Sequence, residues 1–329
     1  MLTRDYILSQ LKTALRDLSE YLDDPLVSEV MVNPGGKVFV ERAGEMISLK
    51  DLRIKDYDIE VAIKQVGKLV HQDPRPNSPT SLISASVGDL RIAGGLTPAS
   101  FGGHSLCIRK HQKPGSRPSI WELVERGMLT REKALILIDY FVKKRRNVIV
   151  GGSTGSGKTT VCNALLKEVP AHERVFSIED SIELDPGLDH HVQYLVNEAA
   201  GVTAQALVKH ALRFRPDRLI LGETRGTETY DLIRGFNSGH DGSLSTVHAS
   251  SPEDVCGALE MLFQMSLPPN ASLSTEASQR FIARAVHMIV YVSRRIEEED
   301  GRLKSVRTIN DIVLVKGVKD GFFDLEKIA

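Results

Sequence analysis

The sequence predicts an α/β protein: a small α+β region, then a mainly parallel sheet covered by helices. Three observations point there. From Ile120 onward, helical stretches alternate with short, strongly apolar runs at 147–150, 174–178 and 218–221, the pattern of parallel strands joined by helices. A glycine-rich octapeptide, Gly152-Ser153-Thr154-Gly155-Ser156-Gly157-Lys158-Thr159, sits directly after the first of these runs. The first third of the chain is patterned differently, and a polar, proline-bearing stretch at 111–119 separates the two. The expected division is therefore an N-terminal α+β domain at 1–110, a linker at 111–119 and a second domain at 120–329.

The elements follow in order. Residues 1–22 read as one amphipathic helix, with Tyr6, Leu8, Leu11, Leu15, Leu18 and Leu22 recurring at helical spacing. Val27 to Val32 and Lys37 to Glu41 read as strands around the turn Asn33-Pro34-Gly35-Gly36. Residues 56–71 suit a helix, and Pro74, Pro76 and Pro79 mark a loop. Leu90 to Ala93 and His104 to Arg109 read as two more strands. In the second domain the run from Thr159 to Lys167 suits a helix that Pro170 ends. Near the C-terminus, Met288 to Ser293 and Arg307 to Val315 read as a β pair, with Glu297 to Gly301 as its exposed acidic turn.

Composition narrows the class. The chain has 329 residues, 41% hydrophobic and 26% charged, with a formal net charge of −1. That balance is the profile of a soluble globular protein and argues against a nucleic-acid coat or a membrane-surface binder. The run Lys143-Lys144-Arg145-Arg146 reads as a solvated face before a strand. Cys107, Cys162 and Cys256 are far apart and lack metal-ligand spacing, so they read as reduced thiols. Nothing resembles a signal peptide or a transmembrane segment, so a cytoplasmic location is expected, with any membrane association supplied by partners.

The octapeptide satisfies G-x-x-x-x-G-K-[ST], the phosphate-binding loop of nucleotide triphosphatases, in its required strand–loop–helix context. With glycine at roughly 7% of residues, such a match arises by chance on the order of once in a hundred chains of this length. The chemistry is direct. Glycines let successive N–H groups converge on an anion, and the following helix adds the partial positive charge of its N-terminus. Gly152, Ser153, Thr154, Gly155, Ser156, Gly157, Lys158, Thr159 and Thr160 are the expected ATP-binding residues. Lys158 reaches the outer phosphates and the Thr159 hydroxyl ligates Mg²⁺.

Three further segments follow. The apolar run from Arg174 ends in Ile178-Glu179-Asp180-Ser181-Ile182-Glu183. Ligands sit at the C-terminal ends of parallel strands, so Glu179 or Asp180 can face the γ-phosphate and orient water. The run Arg218-Leu219-Ile220-Leu221-Gly222 ends at Glu223, in the position of a second acidic motif, but Gly222 stands where an aspartate commonly helps hold the metal. His240 and His248 bracket a small polar strand in Gly239-His240-Asp241-Gly242-Ser243-Leu244-Ser245-Thr246-Val247-His248-Ala249. They lack the further ligands a zinc site needs.

This order of motifs resembles the secretion-superfamily traffic ATPases, and most closely their type IV secretion and conjugal-transfer branch. The resemblance rests on the phosphate loop at 152–159, the acidic box from Ile178 to Glu183, the Leu-x-Gly-Glu motif ending at Glu223 and the histidine box at 239–249. It implies a RecA-like P-loop ATPase domain over 120–329 and a ring hexamer of identical chains. It implies work at the inner membrane on secretion, conjugation or pilus-assembly components, beside a coupling ATPase, with no sequence-specific nucleic-acid binding. It also implies arginines from the first domain at the nucleotide, Arg91 and Arg109 in this sequence, with Arg213, Arg215 and Arg225 as weaker candidates across a subunit boundary. Glu179 becomes the favoured water-activating base and Glu223 the support of the metal site, with their division of labour open. His240 and His248 couple the site to subunit motion. A helicase-like motor on nucleic acid would need a basic, aromatic single-strand channel that the sequence does not display. A nucleotide-gated scaffold would not need the two carboxylates.

Overall fold

The computed structural model describes residues 4–69, 72–87, 90–110, 117–299 and 302–329. The first six residues of the expected linker at 111–119, Gly88-Asp89, the end of the helix expected to reach residue 71 and the turn at 300–301 lie outside these. The chain divides into two compact units, 1–113 with 298–304, and 114–297 with 305–329.

In the first unit, α1 (Arg4–Ala14), a 3₁₀ turn (Arg16–Leu18) and α2 (Ser19–Asp23) replace the single expected helix. The break falls at Leu15, whose φ of −118° and ψ of 57° leave the helical region. It lets Leu15, Leu18 and Leu22 all reach the core, while Tyr6 turns to solvent and Ile7 is buried in its place. Strands β1 (Val27–Asn33), β2 (Lys37–Arg42) and β3 (Glu45–Arg53) precede α3 (Asp56–Leu69), and β4 (Leu82–Val87), β5 (Leu90–Gly95) and β6 (Ser105–Lys110) complete a sheet of order β3-β2-β1-β6-β5-β4. Its strands pair antiparallel throughout the described residues. Alternation decides its two faces. Val30, Val32, Ile92, Leu106 and Ile108 pack with Ile7, Leu11, Ile59, Ile63 and Val66 of the helices. Glu29, Arg91, Cys107 and Arg109 lie on the opposite face.

The second unit opens with α4 (Ile120–Glu125), whose start is fixed by a capping box: Ser119 accepts from the Glu122 N–H and Glu122 accepts from the Ser119 N–H. After it come α5 (Arg131–Leu137), one π-helical stretch (Ile138–Lys143), β7 (Val148–Gly152), α6 (Lys158–Leu166), β8 (Val175–Glu179), β9 (His191–Leu195), α7 (Ala204–Ala211), β10 (Arg218–Leu221), α8 (Thr229–Phe236), β11 (Leu244–Val247), α9 (Pro252–Met265) and α10 (Thr275–Ala285). Strands β12 (Met288–Glu299), β13 (Arg302–Lys319) and β14 (Phe322–Lys327) end the chain. The sheet order is β14-β13-β12-β7-β11-β10-β8-β9, parallel from β12 to β9, with β14 antiparallel to β13. Glu297 to Glu299, read from sequence as part of a turn, continue β12. Two hydrophobic clusters, one on each side, share its strands: Val148, Val150, Val290 and Ile220 face one, and Ile149, Phe176, Leu219 and Val247 the other. Among the described residues no helix is long and apolar enough to cross a membrane.

Candidate active site

Four neighbouring strands of the parallel sheet end side by side in the order β7, β11, β10, β8. Each delivers one polar segment from its C-terminal end: the glycine loop from β7, His248 from β11, Glu223 from β10 and Glu179-Asp180 from β8. Strand spacing of about 4.8 Å sets adjacent segments within side-chain reach.

The loop is shaped by its glycines. A Cβ at Gly152 would stand 2.2 Å from the Val292 carbonyl oxygen of β12, so no other residue lets the loop leave β7 at this height. Gly157 adopts φ +101° directly before α6, a left-handed turn into the helix that favours glycine. The Arg307 Nε–H donates to the Gly155 carbonyl at 2.9 Å and holds the outer bend. Lys158 is 8% exposed. Its amine donates to the Gly152 and Ser153 carbonyls at 2.9 and 3.0 Å and lies 3.4 Å from His248 Nδ1. Burial pushes the amine below the usual lysine range, and the charge of Glu223 opposes that shift.

From Lys158 the polar contacts run along the strand ends. His248 Nε2 is 2.7 Å from Glu223 Oε1. This is a close approach without hydrogen-bond geometry, and that Glu223 oxygen is buried with no hydrogen bond of its own. The other Glu223 oxygen accepts from the Arg225 guanidinium, which also pairs with Asp180. The structure thus brings Lys158, His248, Glu223, Arg225 and Asp180 into one chain of contacts, in the order of the strands that carry them.

Glu179 is turned elsewhere. Its Oε1 accepts the Glu183 and Leu184 N–H groups at 3.0 and 2.8 Å, and its Oε2 accepts the Gln193 amide at 2.6 Å. Burial pushes its carboxyl up to about 7, against the pull of these hydrogen bonds. The side chain shapes the loop that carries Asp180 and Glu183. A Cβ at Gly222 would lie 3.2 Å from Glu179 Cγ, so a larger residue there would need this side chain to shift by a few tenths of an ångström. Asn163 of α6 grips the same loop, donating to the Glu183 carbonyl at 2.8 Å and accepting the Asp185 N–H at 2.7 Å. Asn163 and Gln193 escape a motif search. Asn163 leaves one trace, a polar side chain inside the apolar run from Val161 to Leu166.

His240 does not join the group. It precedes β11, and the register Leu244↔Val148 and Val247↔Gly151 sets it at the N-terminal end of strands whose C-terminal ends carry the loop. Its Nδ1 is 3.1 Å from the Gly235 carbonyl. Arg91 and Arg109 are direct cross-strand neighbours on the face of the first sheet opposite its helices. Glu29 stands opposite Arg109 on its other side, so a carboxylate already offsets part of this positive charge. Arg213 and Arg215 are exposed. Within the basic run, Lys144 pairs with Asp139 at 2.8 Å and Arg145 with Glu173 at 2.9 Å.

The donor set suits a triphosphate with magnesium: backbone N–H groups at a helix start and an amine for the anion, a Thr159 hydroxyl and carboxylate oxygens for a hard cation. A parallel sheet with this loop at its switch of strand order defines a P-loop ATPase fold of the RecA-like type. The chain belongs to the family described as Type II/IV secretion system protein, which matches residues 74–308. The type IV secretion system protein VirB11 of Brucella abortus is 32% identical, over 88% of this chain and 86% of that protein. The conjugal transfer protein TrbB of Rhizobium radiobacter is 28% identical, over 98% of this chain and 94% of that protein. In fold alone, the pilus retraction motor PilT with bound ADP aligns at TM-score 0.61 and 18% identity, covering 94% of this chain and 83% of that one. The Legionella pneumophila ATPase DotB aligns at 0.59 and 15%, covering 92% and 79%. The expected membership of the traffic ATPases, in the secretion and conjugation branch, is thereby borne out.

Proposed function

We propose that the chain is a magnesium-dependent ATP hydrolase working as a homohexameric ring, cytoplasmic and held at the inner membrane by partners. It powers type IV secretion, conjugal DNA transfer or pilus assembly, alongside a coupling ATPase and inner-membrane components. The observation that carries this reading is the linkage of Lys158 through His248 to Glu223 at adjacent strand ends, in a chain with these relatives.

In this reading Lys158 exchanges the Gly152 and Ser153 carbonyls for outer phosphate oxygens of ATP. Thr159 holds magnesium, with Glu223 supporting it; the metal, when bound, offsets phosphate charge. Water attacks the γ-phosphorus, the bond to the bridging oxygen breaks, and the water proton passes to Glu223. Glu223 serves as base in preference to Glu179 because its carboxylate faces Lys158 and His248, whereas Glu179 is occupied by its own loop. Arg91 and Arg109 contribute positive charge toward the γ-phosphate, and His248 relays the state of the loop to Glu223.

Lys158→Ala tests the assignment. Phosphate release is expected to fall by about 10³-fold while circular dichroism and melting stay those of the parent. Wild-type turnover in that variant rejects the site. Mass measurement in solution with and without ATP tests the ring.

A further inference from the structure

The chain of contacts gives the acidic box a task besides facing the nucleotide. Asp180 and Glu223 leave neighbouring parallel strands, paired at Ile178 and Leu221, and the Gly222 N–H donates to the Ile178 carbonyl at 2.8 Å. One guanidinium, Arg225, binds both carboxylates. Its own backbone is held still. Glu228, 5% exposed, accepts the Arg225 and Gly226 N–H groups at 2.7 and 2.8 Å, and the Thr224 N–H donates to the Thr246 carbonyl at 2.8 Å. On the other side, Glu179 and Asn163 fix the loop that follows Asp180. Two anchored backbones and a planar fork leave Glu223 little freedom.

We propose that Arg225 and Asp180 are positioning residues for Glu223: Asp180 orients the Arg225 guanidinium, and the guanidinium aims the Glu223 carboxylate at the reacting water. The acidic box then acts on hydrolysis through Arg225. This rests on the reading of Glu223 as the base. It assigns Arg225 a role inside its own subunit. Lysine at 225 keeps the charge but holds the two carboxylates with less directional fixing, because its ammonium lacks the guanidinium's planar fork.

Steady-state phosphate release and equilibrium ATP binding of the full chain decide the matter. Arg225→Gln is expected to lower kcat by about 100-fold with ATP affinity within about threefold, since misplacement of a catalytic group by an ångström costs that much. Asp180→Asn is expected to lower kcat by about tenfold, and Arg225→Lys to recover part of the Gln loss. The double variant Arg225→Gln/Asp180→Asn is expected to be no slower than Arg225→Gln, because the two act as one unit. Wild-type kcat in Asp180→Asn, or losses that multiply in the double variant, overturns the proposal. Asp180 is 41% exposed, so its substitution tests the idea even where Arg225→Gln folds poorly. Glu223→Gln separates the two readings. If it turns over normally, the base assignment fails. If it is inactive while Asp180→Asn is normal, only the positioning role fails.

Discussion

Arg218 and Arg225 stand at opposite ends of β10, and each binds carboxylate. Arg218 is fully buried. Its Nε donates to Glu173 at 2.5 Å, and its terminal nitrogens donate to the Phe141, Gly242 and Val142 carbonyls at 2.8, 3.1 and 3.2 Å. Beside it, buried Asn147 donates to the Ala285 carbonyl and accepts the Ser243 N–H. Arg225 is 48% exposed and touches two carboxylates carried by neighbouring strand ends. At the N-terminal end of the sheet the charge is committed to carbonyls that cannot leave. At the C-terminal end the partners are side chains that can be exchanged. The same residue type makes a fixed joint in one place and a working one in the other, and depth and partner mobility make the difference.

Removing the fixed joint should cost most. Arg218→Ala is expected to lower unfolding free energy by about 3–5 kcal/mol, because Glu173 and several carbonyls lose a buried partner. Urea denaturation measures it, and a loss below about 1 kcal/mol breaks the comparison.

Glu179 sits at the working end but is bound like a structural group, so pH sharpens the distinction. Its folded value of about 7 lies above its ordinary 4.5. Below the lower value both states hold the proton and nothing is lost. Between the two values only the unfolded chain ionises, so stability falls as pH rises, by at most about 3 kcal/mol, and levels off above the upper value. Glu179→Gln is expected to flatten this slope, read from urea midpoints at about pH 5 and about pH 8. An unchanged slope assigns the titration to another group.

The two histidines give the smallest and most discriminating contrast. His248→Ala cuts the contact between Lys158 and Glu223 and is expected to lower kcat by roughly 10-fold to 100-fold. His240→Ala, at the far end of β11, is expected to leave turnover within about twofold and to cost about 1 kcal/mol of stability. Equal losses in phosphate release would return His240 to the active site.

Much of this was readable in the chain. The loop, the strands before it and after it, and the carboxylate at Glu223 carry local signals: apolar runs, glycine spacing, charges at strand ends. The sequence reading lacks strands β3, β4, β9 and β14, the edge strands of the two sheets, which are short or shallowly buried: β3 is mostly exposed and β9 half-buried throughout. His240 and His248 are close in sequence, yet a parallel strand between them carries them to opposite ends, a separation spacing alone does not reveal. The assignment of Glu179 needed its partners, Gln193 and the 183–184 backbone, which only the fold brings near. Arg218 reads in sequence as the one charged residue of the run 218–221; its burial follows from pairing with β8, where Arg218 lies opposite Val175 and reaches Glu173.

The end of the chain also has a stake in the loop. Arg307 braces the bend at Gly155, the Ile309 N–H donates to the Met128 carbonyl at 2.8 Å, and Lys133 clasps the carbonyls of Ile309 and Asn310. A shortened protein ending before β13 would keep every recognisable nucleotide motif and still lose the brace that shapes it. Any factor that tugs on this strand would be felt one hydrogen bond away, in the glycine loop itself.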